Sequence, residues 1–193
     1  MARLAFTRAV SPALAACELT HLERRPIDPA HAAAQHAAYE QALAELGCRV
    51  ERLPALPGQP DAVFVEDTAV VLDELAVITR PGAESRRAET ASTAAALAAH
   101  RPLRFVEAPG TLDGGDVLVC GRRVFVGLTS RSDPHGIEQL RAHLAPHGYT
   151  VAGVPVTGCL HLKTAVTEVA PGLLLLNPGW VDPHAFAPLE CLE

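Results

Sequence analysis

The chain has no apolar run long enough to span a bilayer, no basic run and no closely spaced cysteine pair, and each absence removes a class of function. A membrane helix needs about 20 consecutive apolar residues, whereas the longest leucine run here is Leu173 to Leu176. The opening MARLAFTRAVSPALAAC has the arginines and small residues of a leader peptide, but Arg8 interrupts any apolar centre. With 22 acidic against 16 basic residues and a net charge of −6, neither nucleic acid nor an anionic membrane is a suitable partner. A small cationic ligand suits that balance better. The five cysteines (Cys17, Cys48, Cys120, Cys159, Cys191) are odd in number, widely spaced and without a CxxC pair, which fits a reduced, cytoplasmic setting. Without a nucleotide-binding glycine loop or a metal-ligand cluster, no cofactor and no metal is expected.

The 193 residues are 49% hydrophobic and 20% charged, a composition for one soluble domain with a sizeable core and no disorder. Three stretches repeat one pattern at a spacing of 48 residues: VFVEDTAVVLDELAVITRPG from Val63, TLDGGDVLVCGRRVFVGLTS from Thr111 and CLHLKTAVTEVAPGLLLLNP from Cys159. In each, two β-branched or leucine-rich runs flank a turn: 69–72 and 75–79 around Asp73-Glu74, 117–120 and 124–127 around Gly121-Arg122, then a third hairpin around Ala170-Pro171-Gly172. Helical patterns follow over 85–100 and 137–144, and strands over 103–107 and 149–156. An earlier helix over 31–46 starts after Asp28-Pro29, an N-cap with proline in the first turn, and leads to a strand over 48–53. The unit is therefore strand, strand, helix, strand. Such a unit cannot bury both faces of its sheet alone, so neighbours must pack on it. A closed ring protects the apolar strands without polar caps; a two-layer α/β sandwich is the alternative. The period also predicts a helix over 182–193 whose returning strand belongs near 197, so the chain reads as a fragment or an early-terminated form that stops mid-unit.

Ionisable groups fall at or beside one point of the repeat, the start of each hairpin: Glu66 and Asp67, then Asp113, then His161. DAVFVED places Asp61, Glu66 and Asp67 around a short apolar strand, on which neighbouring side chains point to opposite faces, so only one of Glu66 and Asp67 faces a central site. Clustered carboxylates repel unless a cation binds or a proton is shared, and a guanidinium with its planar fork of donors pairs well with two or three of them. Pairing with the protein's own arginines, or a solvated loop, is the plainer alternative. In LDGGDV the two glycines permit close backbone approach to Asp113, and Asp116 reads as a cap of that turn. His161 stands in register with Asp113, and an aspartate beside a histidine fixes its tautomer; alone, His161 reads as a core histidine. Cys159 lies two residues away on the same strand face, but no third ligand has metal-site spacing. Arg86, Arg87 and Arg131 follow two successive hairpins and could grip a carboxylate bidentately or simply decorate the surface.

Taken together, FVEDTAVV, ITRPGAESRRAET, LDGGDVL, VGLTSRSDPHG and HLKTAV resemble, in collinear order, the dimethylarginine dimethylaminohydrolase family of the guanidine-modifying (amidinotransferase, or pentein) superfamily. The resemblance implies an α/β propeller of ββαβ repeats with its site on a pseudo-fivefold axis, residues 1–193 forming a single incomplete domain of about four of the five modules. It implies hydrolysis of Nω-methylated arginine (asymmetric dimethylarginine or monomethylarginine) to citrulline and a methylamine through a cysteine thiouronium intermediate. By the same resemblance His161 is the general acid and base, Asp113 orients it and binds the guanidinium, and Glu66 and Asp67 are substrate-binding. Asp61 helps hold the α-amino group, Arg86 and Arg131 take the α-carboxylate, and Leu19 in CELTHL lies in a mobile lid. The departure is the nucleophile, which the family carries in its last module. Cys191 falls in the expected 182–193 helix, away from the hairpin starts, so the thiol is expected beyond this chain and the 193 residues alone are expected to be inactive. An arginine deiminase-like guanidine hydrolase and a catalytically dead guanidine-binding protein are the alternatives. Unpaired strand edges of an open ring would favour a homodimer.

Overall fold

A computed structural model describes residues 3–20 and 23–192; Glu193 and the His21-Leu22 part of CELTHL lie outside them. The chain divides into two compact units, Met1–Val65 and Glu66–Glu193.

In the first unit, β1 (Leu4–Arg8) runs parallel to β2 (Arg49–Leu53), in register from Leu4 opposite Arg49 to Arg8 opposite Leu53. Parallel strands need a crossover, and α1 (Pro29–Glu45) supplies it. It begins as the sequence predicts: the Asp28 side chain accepts from the amides of Ala30 at 2.8 Å and His31 at 3.3 Å, and Pro29 occupies the first helical position, where no amide hydrogen is needed. It stops where Gly47 takes a φ of +85°, a left-handed conformation that costs glycine little.

The second unit is three three-stranded sheets built to one plan. β3 (Ala69–Val71) and β4 (Ala76–Ile78) form a hairpin and β5 (Leu103–Phe105) returns parallel to β4. β6 (Val117–Cys120), β7 (Arg123–Leu128) and β8 (Thr150–Pro155) repeat this, as do β9 (Val166–Ala170), β10 (Leu173–Leu176) and β11 (Glu190–Leu192). In every sheet the second strand is central, because it alone pairs with both its hairpin partner and the returning strand. Between second and third strands lie α2 (Thr90–Leu97) in the first sheet's connection and α3 (Pro134–Leu144) in the second's. α3 buries Ile137, Leu140 and Leu144, one apolar stripe at helical spacing.

Alternation along the middle sheet explains why the units stack. Val117, Val124 and Val126 pack with Val70 and Val77 of the first sheet, with Leu75 of its hairpin turn, and with α3. Leu118 and Phe125, one position out of phase and so on the opposite face, pack with Leu174, Leu176 and Phe186 of the third. Each face of that sheet therefore belongs to a different core. The hairpin tips are joined as well. Glu74 and Arg122, which hold the same place in successive repeats, form an ion pair, and Tyr149 donates to Glu74 at 3.0 Å while Arg122 lies 4.4 Å from the Tyr149 ring centre.

Several expected elements differ. Residues 182–192 do not form a helix: a 3-10 turn (Pro183–Phe186) is followed by β11. Asp182 caps that turn by accepting from the His184 amide at 2.9 Å, but Pro188 lacks an amide hydrogen and its ring blocks helical continuation. The returning strand therefore arrives at Glu190 rather than near 197, and the third hairpin's unit is completed without a full helix. Cys191 accordingly lies in a strand, opposite Leu174. The predicted helix over 85–100 is split into a 3-10 segment (Glu84–Glu89) and α2. The apolar stretch before Asp67 is a 3-10 turn (Val65–Thr68), and Cys159 to His161 is a bend leading into the one-turn α4 (Leu162–Ala165), so neither is a strand. A third short turn (Gly114–Asp116) precedes β6. Among the described residues no helix is long and apolar enough to cross a membrane.

Leu174 is fully buried on β10 whereas its neighbour Leu175 is 45% exposed. Urea unfolding should show Leu174→Ala destabilised by about 2–5 kcal/mol and Leu175→Ala changed by no more than about 0.5 kcal/mol; equal losses would contradict the assignment of the two faces.

Candidate active site

The three turns that precede the hairpins hold the ionisable residues, and carboxylates bind each turn to the next. Asp67 Oδ1 accepts from the amide of Gly115 at 3.0 Å, and Asp116 Oδ1 accepts from the amide of Leu162 at 3.0 Å. The first turn of a helix has amides with no intrahelical acceptor, so a carboxylate from the preceding unit satisfies a donor that would otherwise be buried and unpaired. The Asp67 turn is itself fixed to β4, since Thr79 Oγ1 donates to the Asp67 carbonyl at 2.6 Å. The approach is close enough to require glycine. A Cβ at Gly114 would run into the Glu66 carbonyl, and one at Gly115 would lie 2.7 Å from Asp67 Oδ1 and 2.9 Å from the His161 ring.

This packing gathers Asp67, Asp113 and His161, whose ligand atoms all lie within 4.8 Å of one another. Nε2 of His161 is 3.7 Å from Asp67 Oδ1, and Nδ1 is 3.4 Å from Asp116 Oδ1. The second contact is at ion-pair range but not aligned as a hydrogen bond, which leaves Nδ1 without a hydrogen-bond partner. Arg86 Nη1 donates to Asp67 Oδ2 at 2.6 Å and its Nη2 to Glu89 Oε2 at 2.9 Å, all three side chains being buried. Asp113 is fully buried. Its Oδ1 accepts from the Gly82 amide at 2.9 Å, but Oδ2 has no hydrogen-bond partner.

Burial decides the charge of Asp113. Loss of solvation, with the Asp67 charge beside it, raises its pKa to about 6 against the opposing Gly82 amide, His161 and Arg86. Burial also works against a charged His161, but the Asp116 carboxylate, then the charges of Asp67 and Asp113, outweigh it and raise the imidazole above its ordinary pKa of 6.5. Arg86 likewise stays protonated, its pairs with Glu89 and Asp67 prevailing over burial. Two carboxylates and an imidazole could hold a hard divalent cation, but Arg86 already brings a positive charge onto Asp67. A planar cation that can donate to the open oxygen of Asp113 fits the same donors.

The structure places the other expected site residues as follows. Asp67 and Glu66 diverge: Asp67 faces the cluster, while Glu66 turns outward and accepts from Lys163 Nζ at 2.5 Å. Arg87 donates to the Pro81 carbonyl at 3.1 Å and sits beside Glu84, outside the cluster. Arg131 is buried, with its amide donating to Thr129 Oγ1 at 3.0 Å. Arg86, expected to hold a ligand carboxylate, is paired with two carboxylates of the protein, so a ligand would have to share it. In the first unit the Asp61 carboxylate accepts from the Glu18 amide at 3.1 Å, anchoring the segment that carries the half-exposed Leu19. Cys159 donates to the His161 carbonyl at 3.3 Å and its thiol is pushed up by burial and by Asp116, a poor setting for a thiolate. Burial, then Glu168, drives the Cys120 thiol up to about 11.

Asp116, expected only to cap its turn, is the carboxylate that meets Nδ1 of His161, the place assigned to Asp113. Ser132 and Thr129 were not marked by the sequence, though both hydroxyls bind Asp116, at 2.6 and 2.8 Å. Glu89 was also unmarked. For Asp116 a signal was available: it is the second acid of LDGGDV, beside the glycines that bring the turns together. For the hydroxyls in TSRS there was none.

Comparison with known proteins gives consistent relatives. The sequence profile of the arginine deiminase family matches residues 55–182. The N(G),N(G)-dimethylarginine dimethylaminohydrolase of Streptomyces coelicolor is 45% identical over 172 residues, covering 89% of this chain and 67% of that protein. The protein of the same description from Pseudomonas aeruginosa is 35% identical over 168 residues, covering 86% and 66% respectively. A solved structure of the Pseudomonas aeruginosa enzyme, a cysteine-to-serine variant in complex with citrulline, superposes with a TM-score of 0.90 at 32% identity, covering all of this chain and 76% of that one. The chain thus spans about two thirds of the length of these relatives.

The charge of Asp113 should be visible in stability. Its folded pKa of about 6 exceeds its ordinary 3.8, so the folded state binds the proton more tightly and stability falls as pH rises between those values. His161, also raised, contributes stability present below pH 6.5 and lost as pH rises through its folded value. Asp113→Asn removes the first effect and, by taking away the Asp113 charge, reduces the second. Thermal unfolding should show the variant gaining on the parent between pH 4 and 6, reaching about 1–3 kcal/mol at pH 7; a difference independent of pH would refute the buried, proton-retaining Asp113.

Proposed function

The chain belongs to the arginine deiminase family and has the α/β pentein-type fold, and from that premise we propose that its protein hydrolyses an Nω-methylated arginine, asymmetric dimethylarginine or monomethylarginine, to citrulline and a methylamine. One observation carries the reading to this chain: a buried Asp113 oxygen without a partner, beside Asp67 and His161. A guanidinium presents five donors in one plane, which two carboxylates at that separation can grip.

The chemistry follows from the protonation of His161. A thiolate adds to the guanidinium carbon, and the imidazolium gives its proton to the departing methylamine, leaving a thiouronium and a neutral imidazole. That imidazole then takes one proton from water as its oxygen adds to the same carbon; the adduct collapses, expelling the thiolate, and its remaining hydroxyl proton passes to the released amine or solvent, leaving citrulline. Carboxylates that raise the pKa of His161 favour the imidazolium that the first transfer needs. Asp67 and Asp113 bind the guanidinium, with Glu66 at the rim, where it meets Lys163. Arg131, with Arg86 shared from its protein carboxylates, takes the α-carboxylate. Asp61 holds the α-amino group and Leu19 belongs to a lid, the 193 residues forming one incomplete propeller domain with no cofactor.

On this reading none of the three cysteines of the second unit supplies the thiolate. Cys159 is engaged with a carbonyl, Cys120 lies in a core and Cys191 is in β11. The nucleophile is therefore assigned to sequence beyond this chain, within the length its relatives have in addition. Hydrolysis of unmodified arginine is the second reading, supported by the family profile, and a guanidine-binding protein without turnover is the third, supported by the absence of a suitable described thiol.

Citrulline release from asymmetric dimethylarginine, arginine and agmatine should separate these. The native protein should turn over the methylated substrate, and residues 1–193 alone should bind it in calorimetry without producing citrulline. No citrulline from the native protein sinks the activity, and turnover by residues 1–193 alone sinks the placement of the thiol. His161→Gln should lower kcat by at least about 100-fold while the dissociation constant stays within a few-fold.

A further inference from the structure

Asp116 makes more contacts at the site than any role so far assigned to it requires. It is fully buried, and each of its oxygens is held: Oδ2 accepts from Ser132 Oγ at 2.6 Å and from Thr129 Oγ1 at 2.8 Å, and Oδ1 accepts from the Leu162 amide at 3.0 Å. Three donors from two different segments fix the plane of the carboxylate. Its Oδ1 then lies 3.4 Å from Nδ1 of His161, a ring nitrogen that is buried and has no hydrogen-bond partner. A small rotation of the ring would turn that contact into a hydrogen bond. Gly127 leaves the space, since a Cβ there would lie 2.9 Å from Asp116 Oδ1 and 3.0 Å from the Leu162 side chain. Asp113 is disposed differently. One of its oxygens is held by the Gly82 amide and the other is open, the arrangement of a group that waits for a ligand rather than one that holds a ring.

We propose that Asp116, braced by Ser132 and Thr129, is the positioning residue for His161: it holds the proton on Nδ1 and leaves Nε2 facing Asp67 and the bound substrate. This rests on the reading of His161 as the general acid and base. It divides the labour of the two aspartates in LDGGD, with Asp113 touching the substrate and Asp116 acting only through the imidazole. A carboxylate behind the ring selects the tautomer whose other nitrogen exchanges protons and stabilises the imidazolium formed in the cycle. Ser132 also joins the two aspartates, because its Oγ accepts from the Asp113 amide at 3.0 Å while donating to Asp116. Thr129 joins Asp116 to the loop carrying Arg131, whose amide it accepts at 3.0 Å.

The test reads His161 directly. The ionisable groups facing its ring are Asp116 at Nδ1 and Asp67 at Nε2, with Asp113 contributing charge nearby and Cys159 bonded to its carbonyl. Nitrogen-15 NMR of the imidazole in the native protein should show Asp116→Asn lowering the pKa of His161 and moving its neutral form away from the Nδ1-H tautomer, with Asp116→Glu restoring part of both. In the native protein Asp116→Asn should lower kcat by roughly 10²–10⁴-fold with KM changed by only a few-fold, and narrow the pH–rate profile on its alkaline side. Should Asp116→Asn fail to fold, Ser132→Ala with Thr129→Val keeps the charge and removes the brace, and should alter the tautomer signal by itself. The proposal is overturned if these variants leave the His161 titration and tautomer unchanged, or if Asp113→Asn changes the tautomer while Asp116→Asn does not. Because the NMR readout needs no turnover, the two failures are distinguishable: a protein inactive on guanidines refutes the catalytic reading, whereas an unchanged His161 titration and tautomer refutes the positioning by Asp116.

Discussion

The Asp67 carboxylate holds the second unit's site together. One oxygen accepts from the Gly115 amide of the next repeat and the other from Arg86, and the same group stands 3.7 Å from His161. A charge buried this far is tolerated only when paired and hydrogen-bonded, and removing one partner of such a pair costs about 3–5 kcal/mol because the other is left buried and uncompensated. The constraint runs outward from there. Gly114 and Gly115 must be glycine so that the turn can reach Asp67, and Arg86 must stay protonated, as its pairs with Glu89 and Asp67 ensure.

The same constraint sets up the chemistry. With Asp67 satisfied by an amide and an arginine, Asp113 is left beside it with an open oxygen and a pKa raised by burial, and His161 is left among three carboxylates with its pKa raised by their charge. Carboxylates gathered this closely repel one another unless a cation or a proton is shared between them. The scaffold carries that cost through its apolar stacking, in which each face of the middle sheet is buried in a different core.

Much of this was legible in the sequence because it follows from local rules at a fixed period. The 48-residue repeat placed the hairpins of β3–β4, β6–β7 and β9–β10 correctly, Asp28-Pro29 marked the start of α1, and LDGGD announced a close backbone approach. The family resemblance read from five short motifs agrees with the comparisons. What failed was extrapolation of the period through 182–193, where Pro188 overrides it locally and brings the strand back early. Strand assignments before Asp67 and at Cys159 failed because an apolar run of a few residues does not distinguish a strand from a turn.

The sequence by itself determined the repeating unit, the family, and the residue types that meet: two acids and a histidine at one point of a repeat. Only the tertiary structure decided how those residues are arranged against one another. Which carboxylate faces Nδ1 of His161, which oxygen of Asp113 stays open, and that Arg86 pairs with Asp67 all depend on distances of a few ångströms between segments 19 to 45 residues apart. Spacing along a chain can bring such groups to one place, but the donors nearest each oxygen in the packed interior determine which of them is held and which is left for a ligand.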